Sequence, residues 1–251
     1  MPDEPTPATV VLVHGAFHGA WCWDRVVPLL EAQGVPVVAF DLPGHGADPR
    51  PPGDLHEHGD ALRAVLEGID GPIVVVGHSY GGAVISDGAA GVDGVVHLVY
   101  LAAIVADAGE TMTTIDVGGP SLGLGEADVS EVPAAMQLTD DGFLVIDPEL
   151  AVGAFYADCE PADVEYALAR LTPQNPATFG QEVRAAAWRT VPSTYVVCYE
   201  DRAVSVPFQR ALATRTTNRV EMPTSHSPFF SAPQPLADLF AGIAREAGAA
   251  A

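Results

Sequence analysis

Short, nearly continuous apolar runs alternate with helical patterns through the first hundred residues of the chain. Four runs have the length and β-branched character of strands: 9–13, 35–40, 73–76 and 95–103. Between them, apolar residues recur at helical spacing over 21–33, 55–68 and 81–90. A strand that is apolar on both faces must be covered on both sides. The pattern therefore predicts a mostly parallel, twisted sheet flanked by helices, an α/β fold.

The alternation stops after residue 105 and resumes near residue 191. Gly118-Gly119-Pro120, an acidic stretch over 125–131 and several prolines interrupt it, with short helices predicted over 161–171 and 181–189. The pattern then predicts strands over 195–199 and 219–222 and helices over 206–214 and 235–246. We therefore predict a core formed by 1–104 and 191–251, with a helical cap inserted at 105–190.

Composition and charge exclude several classes of function. The 251 residues include 11 basic and 33 acidic side chains, a formal net charge of −22, which argues against binding to nucleic acid or to anionic membrane surfaces. All basic residues are arginine, so no lysine is available for a Schiff base or a phosphate-binding loop. The three cysteines form no paired motif, residues 1–9 do not resemble a signal peptide, and no apolar run reaches membrane-spanning length. These features predict a cytoplasmic protein.

The segment Gly77-His78-Ser79-Tyr80-Gly81 places a G-x-S-x-G motif between a predicted strand and a predicted helix. A serine on such a sharp turn projects above the sheet only if the residues two places away lack side chains. The helix that follows also favours developing negative charge at its N-terminus. Ser79 is therefore the candidate nucleophile.

A serine hydroxyl needs a base, and the base needs a carboxylate to orient it. His226 follows the last predicted strand, at the sheet edge that also carries Ser79. Asp201 follows the strand over 195–199; Glu200 and Asp107 remain alternatives on this reasoning. Of the other histidines, His78 is adjacent to the nucleophile and is expected to have a structural role. Three lie in loops that could line the site: His14, His18 and His45. The remaining three are expected to be surface or packing residues: His56, His58 and His97.

Backbone N–H groups are the expected donors to an oxyanion. Tyr80, directly after the nucleophile, supplies one, and the loop after the first strand supplies the other through Ala16. We expect an apolar pocket walled by aromatic side chains: Phe17, Tyr80 and Phe229 from the core, and Phe155, Tyr156 and Trp188 from the cap.

Together these residues resemble the α/β-hydrolase fold, and within it the plant-type methylesterase and hydroxynitrile lyase branch. The matching segments are Val11-Leu12-Val13-His14-Gly15-Ala16-Phe17-His18-Gly19-Ala20-Trp21-Cys22-Trp23, Asp41-Leu42-Pro43-Gly44-His45-Gly46, Gly77-His78-Ser79-Tyr80-Gly81-Gly82, Phe155-Tyr156-Ala157-Asp158-Cys159, Val197-Cys198-Tyr199-Glu200-Asp201 and Ser225-His226-Ser227-Pro228-Phe229-Phe230-Ser231. The resemblance covers nearly the whole chain and is poorest over about 106–150. It implies Ser79 as nucleophile, His226 as base, Asp201 rather than Glu200 as acid, and Ala16 and Tyr80 as oxyanion donors.

The sequence thus predicts a serine carboxylic-ester hydrolase that acts on small, largely apolar esters through an acyl-enzyme, without cofactor or metal. The alternatives are a carbon–carbon bond-cleaving hydrolase or hydroxynitrile lyase with the same triad, and a ligand-binding receptor without turnover. Ser227 stands where one lyase lineage has lysine, and Gly15 is intact where known lyases carry a polar residue, so the lyase is the weaker alternative. The resemblance also suggests a homodimer.

Overall fold

The structure is a computed structural model that describes residues 6–117 and 130–250. The Gly118-Gly119-Pro120 break, most of the acidic stretch and the first five residues of the chain lie outside the described residues.

Six strands form one sheet in which every neighbouring pair is parallel. They are β1 (Thr9–Val13), β2 (Val37–Ala39), β3 (Ile73–His78), β4 (Val95–Leu101), β7 (Ser193–Cys198) and β8 (Asn218–Met222), in the order β2-β1-β3-β4-β7-β8. The chain adds β2 on one side of β1 and all later strands of this sheet on the other side. Because all pairs are parallel, the carboxyl ends of the strands meet at one edge of the sheet. The predicted parallel sheet is therefore confirmed, and its carboxyl edge is where a site is expected.

Helices cover both faces of the sheet. Alternate residues of β1 enter two separate clusters: Val10 and Leu12 pack with α1 (Val27–Ala32) and α10 (Pro233–Ala250), whereas Val11 and Val13 pack with α2 (Leu55–Glu67), α3 (Gly81–Gly88) and α8 (Val206–Leu212). Burying one such side chain contributes about 1.5–3 kcal/mol. This two-sided burial explains why the inner strand β1 is apolar at four consecutive positions, Val10–Val13, rather than at every second one.

The helix predicted over 21–33 is divided. A 3₁₀ turn spans Ala20–Trp23, and α1 begins only at Val27, with Pro28 in its first turn. Proline has no N–H to donate to the preceding turn, so it tolerates the first turn of a helix and prevents a helix from running through it.

The cap lies between β4 and β7. Its described part contains α4 (Val132–Ala135), α5 (Pro148–Phe155), α6 (Pro161–Leu168), α7 (Ala177–Gly180) and an antiparallel pair, β5 (Met136–Leu138) with β6 (Leu144–Ile146). The cap limits of 105 and 190 stay a prediction. Within 6–117 and 130–250, no helix is long and apolar enough to cross a membrane.

The helix predicted over 181–189 is wrong except for a 3₁₀ turn at Ala187–Arg189. Two backbone N–H groups of this stretch bond to residues distant in sequence instead of to one another: Val183 donates to Glu110 O at 2.9 Å, and Arg184 donates to Asp87 Oδ1 at 2.7 Å. Tertiary partners have thus replaced the local helical bonds.

Candidate active site

Ser79 lies on the sharp turn between β3 and α3. Its φ is +53°, one of three positive values among the described non-glycine residues. A Cβ at Gly77 would lie 2.6 Å from Gly81 O, and a Cβ at Gly81 would lie 2.7 Å from His14 O. Both contacts are with backbone that cannot yield, so the turn that presents Ser79 needs glycine on either side.

His226 and Asp201 form a buried pair at the same sheet edge. The His226 Nδ1–H donates to Asp201 Oδ2 at 2.8 Å, and both residues are at least 93% buried. Asp201 follows β7, and His226 lies in the segment between β8 and α9 (Pro228–Ser231). Parallel strands bring the two residues together although 25 positions separate them.

Other contacts of Asp201 fix its carboxylate. Oδ1 accepts the backbone N–H groups of Ala203 at 2.7 Å and Val204 at 3.2 Å. Of the alternatives to Asp201, Glu200 is exposed, and Asp107 pairs with Arg189. Among the three carboxylates, only that of Asp201 reaches an imidazole.

The sequence reasoning missed Gln209, a fully buried residue of α8. Its Nε2 donates to Asp201 Oδ2 at 2.8 Å and to Val204 O at 2.8 Å, and its Oε1 accepts from Cys198 N–H at 2.9 Å. Gln209 therefore ties the Asp201 carboxylate to the end of β7. A single glutamine on an amphipathic helix carries no sequence signal that would distinguish it.

Ser79 and His226 line the same cavity. Among the described residues, no hydrogen bond joins the Ser79 hydroxyl to the imidazole. Such bonds are often long in enzymes without substrate and tighten when the substrate binds. The Phe155 ring stacks on the His226 ring at a centroid distance of 5.6 Å, which restricts the imidazole.

Two residues that line the cavity have backbone N–H groups without a protein acceptor in the described structure. Ala16 and Tyr80 both line it, and within the described ranges neither N–H donates to a protein atom. The neighbouring N–H of Phe17 is already occupied, because it donates to Gln174 Oε1 at 3.2 Å. Among these three donors, Ala16 and Tyr80 are therefore the ones free to bind an oxyanion.

The cavity beside Ser79 has a volume of about 290 Å³ and a largely apolar wall. Of the predicted wall residues, Phe17, Tyr80 and Phe155 line it. The cap and neighbouring segments contribute residues that the sequence did not single out: Met112, Val132, Pro133, Met136, Leu144, Pro176 and Phe179, with Ile104 and Val204 from the core.

Three predicted wall residues lie outside the cavity lining. Tyr156 donates its hydroxyl to His18 Nε2 at 2.8 Å, and Trp188 donates Nε1–H to Ala106 O at 2.8 Å. Phe229 packs beneath the site against Trp23 at a centroid distance of 5.2 Å. The hydrogen bonds of Tyr156 and Trp188, and the core packing of Phe229, account for the positions of these rings outside the cavity lining.

Six histidines are buried: His14, His18, His45, His58, His78 and His226. Desolvation by burial lowers the pKa of His18 and of His58 to about 4 and that of His45 to about 3, and it lowers the pKa values of His14 and His78 well below the usual range. These five rings are therefore neutral at pH 7.

The positions of these rings modify the predictions for them. His18 and His78 line the cavity, whereas His14 and His45 do not. His78 donates Nε2–H to His226 O at 2.9 Å, which holds the backbone of His226 in place. His58 accepts the Tyr80 hydroxyl at Nδ1, 2.7 Å away, and so anchors the residue after Ser79.

Comparison with known proteins places this architecture in a family. Residues 10–239 match the alpha/beta hydrolase family. Methylesterase 9 of Arabidopsis thaliana is 29% identical over 93% of this chain and 97% of its own, and a pyrethroid hydrolase of Sphingobium wenxiniae is 30% identical over 95% and 88%. The crystal structure of a pyrethroid hydrolase from Sphingobium faniae superimposes with a TM-score of 0.82 at 29% identity, over 97% of this chain and 99% of that one.

The fold and site define an α/β enzyme with a serine at a strand–helix turn. The chain belongs to the alpha/beta hydrolase family. Its similarity to esterases along almost its full length indicates a carboxylesterase-type hydrolase.

Proposed function

We infer that the chain hydrolyses small, neutral, largely apolar carboxylic esters with Ser79 as nucleophile, His226 as base and Asp201 as the orienting acid. The observation that carries this proposal is the buried contact of 2.8 Å between His226 Nδ1 and Asp201 Oδ2, with His226 and Ser79 on one cavity wall. That contact fixes the tautomer in which Nε2 is free to accept the serine proton.

The chemistry follows from these positions. His226 Nε2 takes the proton of Ser79 as its oxygen attacks the ester carbonyl, and the oxyanion accepts the N–H groups of Ala16 and Tyr80. The imidazolium then gives its proton to the departing alcohol, leaving an acyl group on Ser79. Water, deprotonated by His226, then attacks the acyl-enzyme; the bond between the acyl carbon and Ser79 Oγ breaks, the imidazolium returns its proton to that oxygen, and the carboxylic acid leaves. Each oxyanion donor contributes about 10²- to 10³-fold, and the base about 10²- to 10⁴-fold.

The cavity wall supports neutral and apolar substrates. Its titratable members are His18, His78, Tyr80 and His226, and it carries no arginine, aspartate or glutamate among the described residues. Burial keeps His18 and His78 neutral. A charged acyl or alcohol group would therefore lose its hydration without gaining a partner. The net charge of −22 adds long-range repulsion of anions.

The named activities of the relatives support an ester substrate. Methylesterases and a pyrethroid hydrolase are among the proteins that this chain resembles over nearly its whole length. Their names imply methyl esters in one case and a pyrethroid in the other. We therefore place the substrate among esters whose acid and alcohol parts are both uncharged.

A panel of p-nitrophenyl and methyl esters with graded acyl chains tests the proposal. We expect kcat/KM to rise with apolar acyl size until the cavity is filled, and to fall by at least 100-fold when a carboxylate is added to the acyl chain. Ser79→Ala should abolish turnover while the circular dichroism spectrum stays the same. Undiminished turnover in Ser79→Ala would refute the assignment.

The same panel separates the other candidate outcomes. Cyanide release from mandelonitrile without hydrolysis of any ester would favour lyase chemistry instead. Stoichiometric binding of a ligand with no turnover would favour a receptor.

A further inference from the structure

The loop after β1 holds a strained residue beside the proposed oxyanion donor Ala16. Phe17 has φ +65°, a left-handed conformation that costs a residue with a side chain about 1–2 kcal/mol. The turn is closed by a bond from His18 N–H to Gly15 O of 3.4 Å, which is long for this type of contact. The turn's own hydrogen bond is therefore weak support for the strained conformation.

The cap supplies the missing support from one short segment, 172–174. The Phe17 N–H donates to Gln174 Oε1 at 3.2 Å, and Phe17 O accepts from Thr172 N–H at 2.8 Å. Both backbone polar groups of the strained residue thus bond to the cap rather than to the core that carries them.

Gln174 is itself held rigidly. It is fully buried, its Nε2 donates to Thr178 Oγ1 at 3.0 Å, and its backbone exchanges two hydrogen bonds of 2.8 Å with Leu144. Because the facing group of Phe17 is a donor, the amide atom opposite must be the oxygen. The acceptor is therefore fixed in both place and orientation.

Two histidines fix the other side of the turn. Gly15 O accepts His14 Nδ1–H at 2.8 Å, and Ala16 O accepts His18 Nδ1–H at 2.8 Å. In a trans peptide the C=O and N–H groups point in opposite directions. With these two carbonyls held by the imidazoles, the adjoining peptide planes are fixed, and within the described residues the Ala16 N–H donates to no protein atom.

We propose that Gln174 is a positioning residue of the oxyanion hole, which the cap completes by holding Phe17 in its left-handed conformation and so fixing the direction of the Ala16 N–H. This inference rests on the proposed function, in which Ala16 binds the oxyanion. Without the acceptor, Phe17 relaxes toward negative φ and the turn shifts. A displacement of about 1 Å at a catalytic group can cost about 100-fold in rate.

The expected defect has a specific kinetic form. The oxyanion exists in the transition state and not in bound substrate, so a misplaced donor lowers kcat and leaves KM nearly unchanged. We expect Gln174→Met, which removes the acceptor at similar volume, to lower kcat by about 10- to 100-fold. Affinity for a trifluoromethyl ketone, which forms a tetrahedral oxyanion with serine, should fall by the same factor.

Gln181 provides a matched control. It is also a cap glutamine, and its Oε1 accepts a core backbone N–H, that of Leu55, at 2.8 Å, but it does not contact the 14–18 loop. Gln181→Met should therefore leave kcat within about twofold. Gln174→Glu keeps an oxygen opposite Phe17 N–H and should restore most of kcat. If Gln174→Met does not fold, Gln174→Asn withdraws the acceptor by one methylene and takes its place.

The measurement is kcat, KM and trifluoromethyl ketone affinity for the wild type and these variants. A selective loss of kcat and inhibitor affinity in Gln174→Met supports the proposal. Unchanged kcat in Gln174→Met, or an equal loss in Gln181→Met, would overturn it. A wild type that hydrolyses no ester and binds no ketone would instead contradict the proposed function, which distinguishes the two failures.

Discussion

Acidification should unfold this protein through its buried histidines. In the unfolded chain a histidine has a pKa of about 6.5. In the folded protein burial lowers the pKa of His18 and His58 to about 4 and that of His45 to about 3. Below about pH 6.5 the unfolded state therefore binds more protons than the folded state, and stability falls as the pH falls. The stabilisation is fully present above the unfolded pKa and is lost down to the folded values.

The magnitude follows from these pKa values. Between about pH 7 and pH 5.5 each of the three histidines costs about 1 kcal/mol, so together they cost about 3–4 kcal/mol. His14 and His78, whose pKa values are also lowered by burial, add to the loss in the same direction. A domain's whole stability is about 5–15 kcal/mol. Carboxylates such as Asp48, whose pKa is lowered mainly by its bond to Arg50, add their loss only at lower pH.

Urea unfolding followed by tryptophan fluorescence at a series of pH values tests this reasoning. His45→Asn is the informative variant, because it removes a ring whose Nε2 is buried and without a partner among the described residues. Near pH 5 the free energy of unfolding of this variant should change with pH by about 1.4 kcal/mol per pH unit less than that of the wild type. A free energy of unfolding that changes by less than about 1 kcal/mol between pH 7 and 5.5 would refute the argument.

Three further predictions concern the acid, the turn and the cap. Asp201→Asn should lower kcat for ester hydrolysis about 10³- to 10⁴-fold and leave the fold intact, whereas Glu200→Gln should have little effect. Equal losses of kcat in the two variants would contradict the pairing of Asp201 with His226. Gly77→Ala should lower the free energy of unfolding in urea by several kcal/mol, because the added Cβ would lie 2.6 Å from Gly81 O. Gly242→Ala is the control: it has open space around it and should stabilise helix α10 by about 0.5–1 kcal/mol. Similar effects of the two substitutions would argue against the steric account. Arg184→Met should cost about 1–3 kcal/mol, because the buried Asp87 carboxylate loses its guanidinium partner and keeps only the backbone N–H of residue 184. Arg210→Met, at the exposed pair with Glu221, should cost under about 1 kcal/mol, and comparable melting shifts for the two variants would refute this.

The sequence is sufficient to predict the sheet, because strand periodicity is local and the inner strands of a parallel sheet are covered on both faces. The run over 9–13 matches β1 residue for residue, and the G-x-S-x-G turn lies where the strand–helix alternation places it. The positions of Asp201 and His226 follow from the same logic, since each lies in the loop after a strand that ends at the edge carrying Ser79.

The remaining features depend on tertiary contacts that leave no local pattern. The stretch over 181–189 has helical spacing, yet its N–H groups bond to Glu110 and Asp87. The sequence predicts Trp188 as a pocket residue, but in the structure its indole N–H donates to Ala106 O. Gln174 and Gln209 are single glutamines without a motif around them, and only the folded structure shows that Gln174 accepts from Phe17 N–H and that Gln209 donates to Asp201.

Reaction with a fluorophosphonate probe, followed by intact mass and peptide mapping, tests the central claim most directly: the Ser79 hydroxyl is activated by the imidazole of His226. We expect one adduct per chain, on Ser79, formed at least 100-fold more slowly in His226→Ala and absent in Ser79→Ala. Failure of the native protein to react, or an unchanged rate in His226→Ala, would contradict the account.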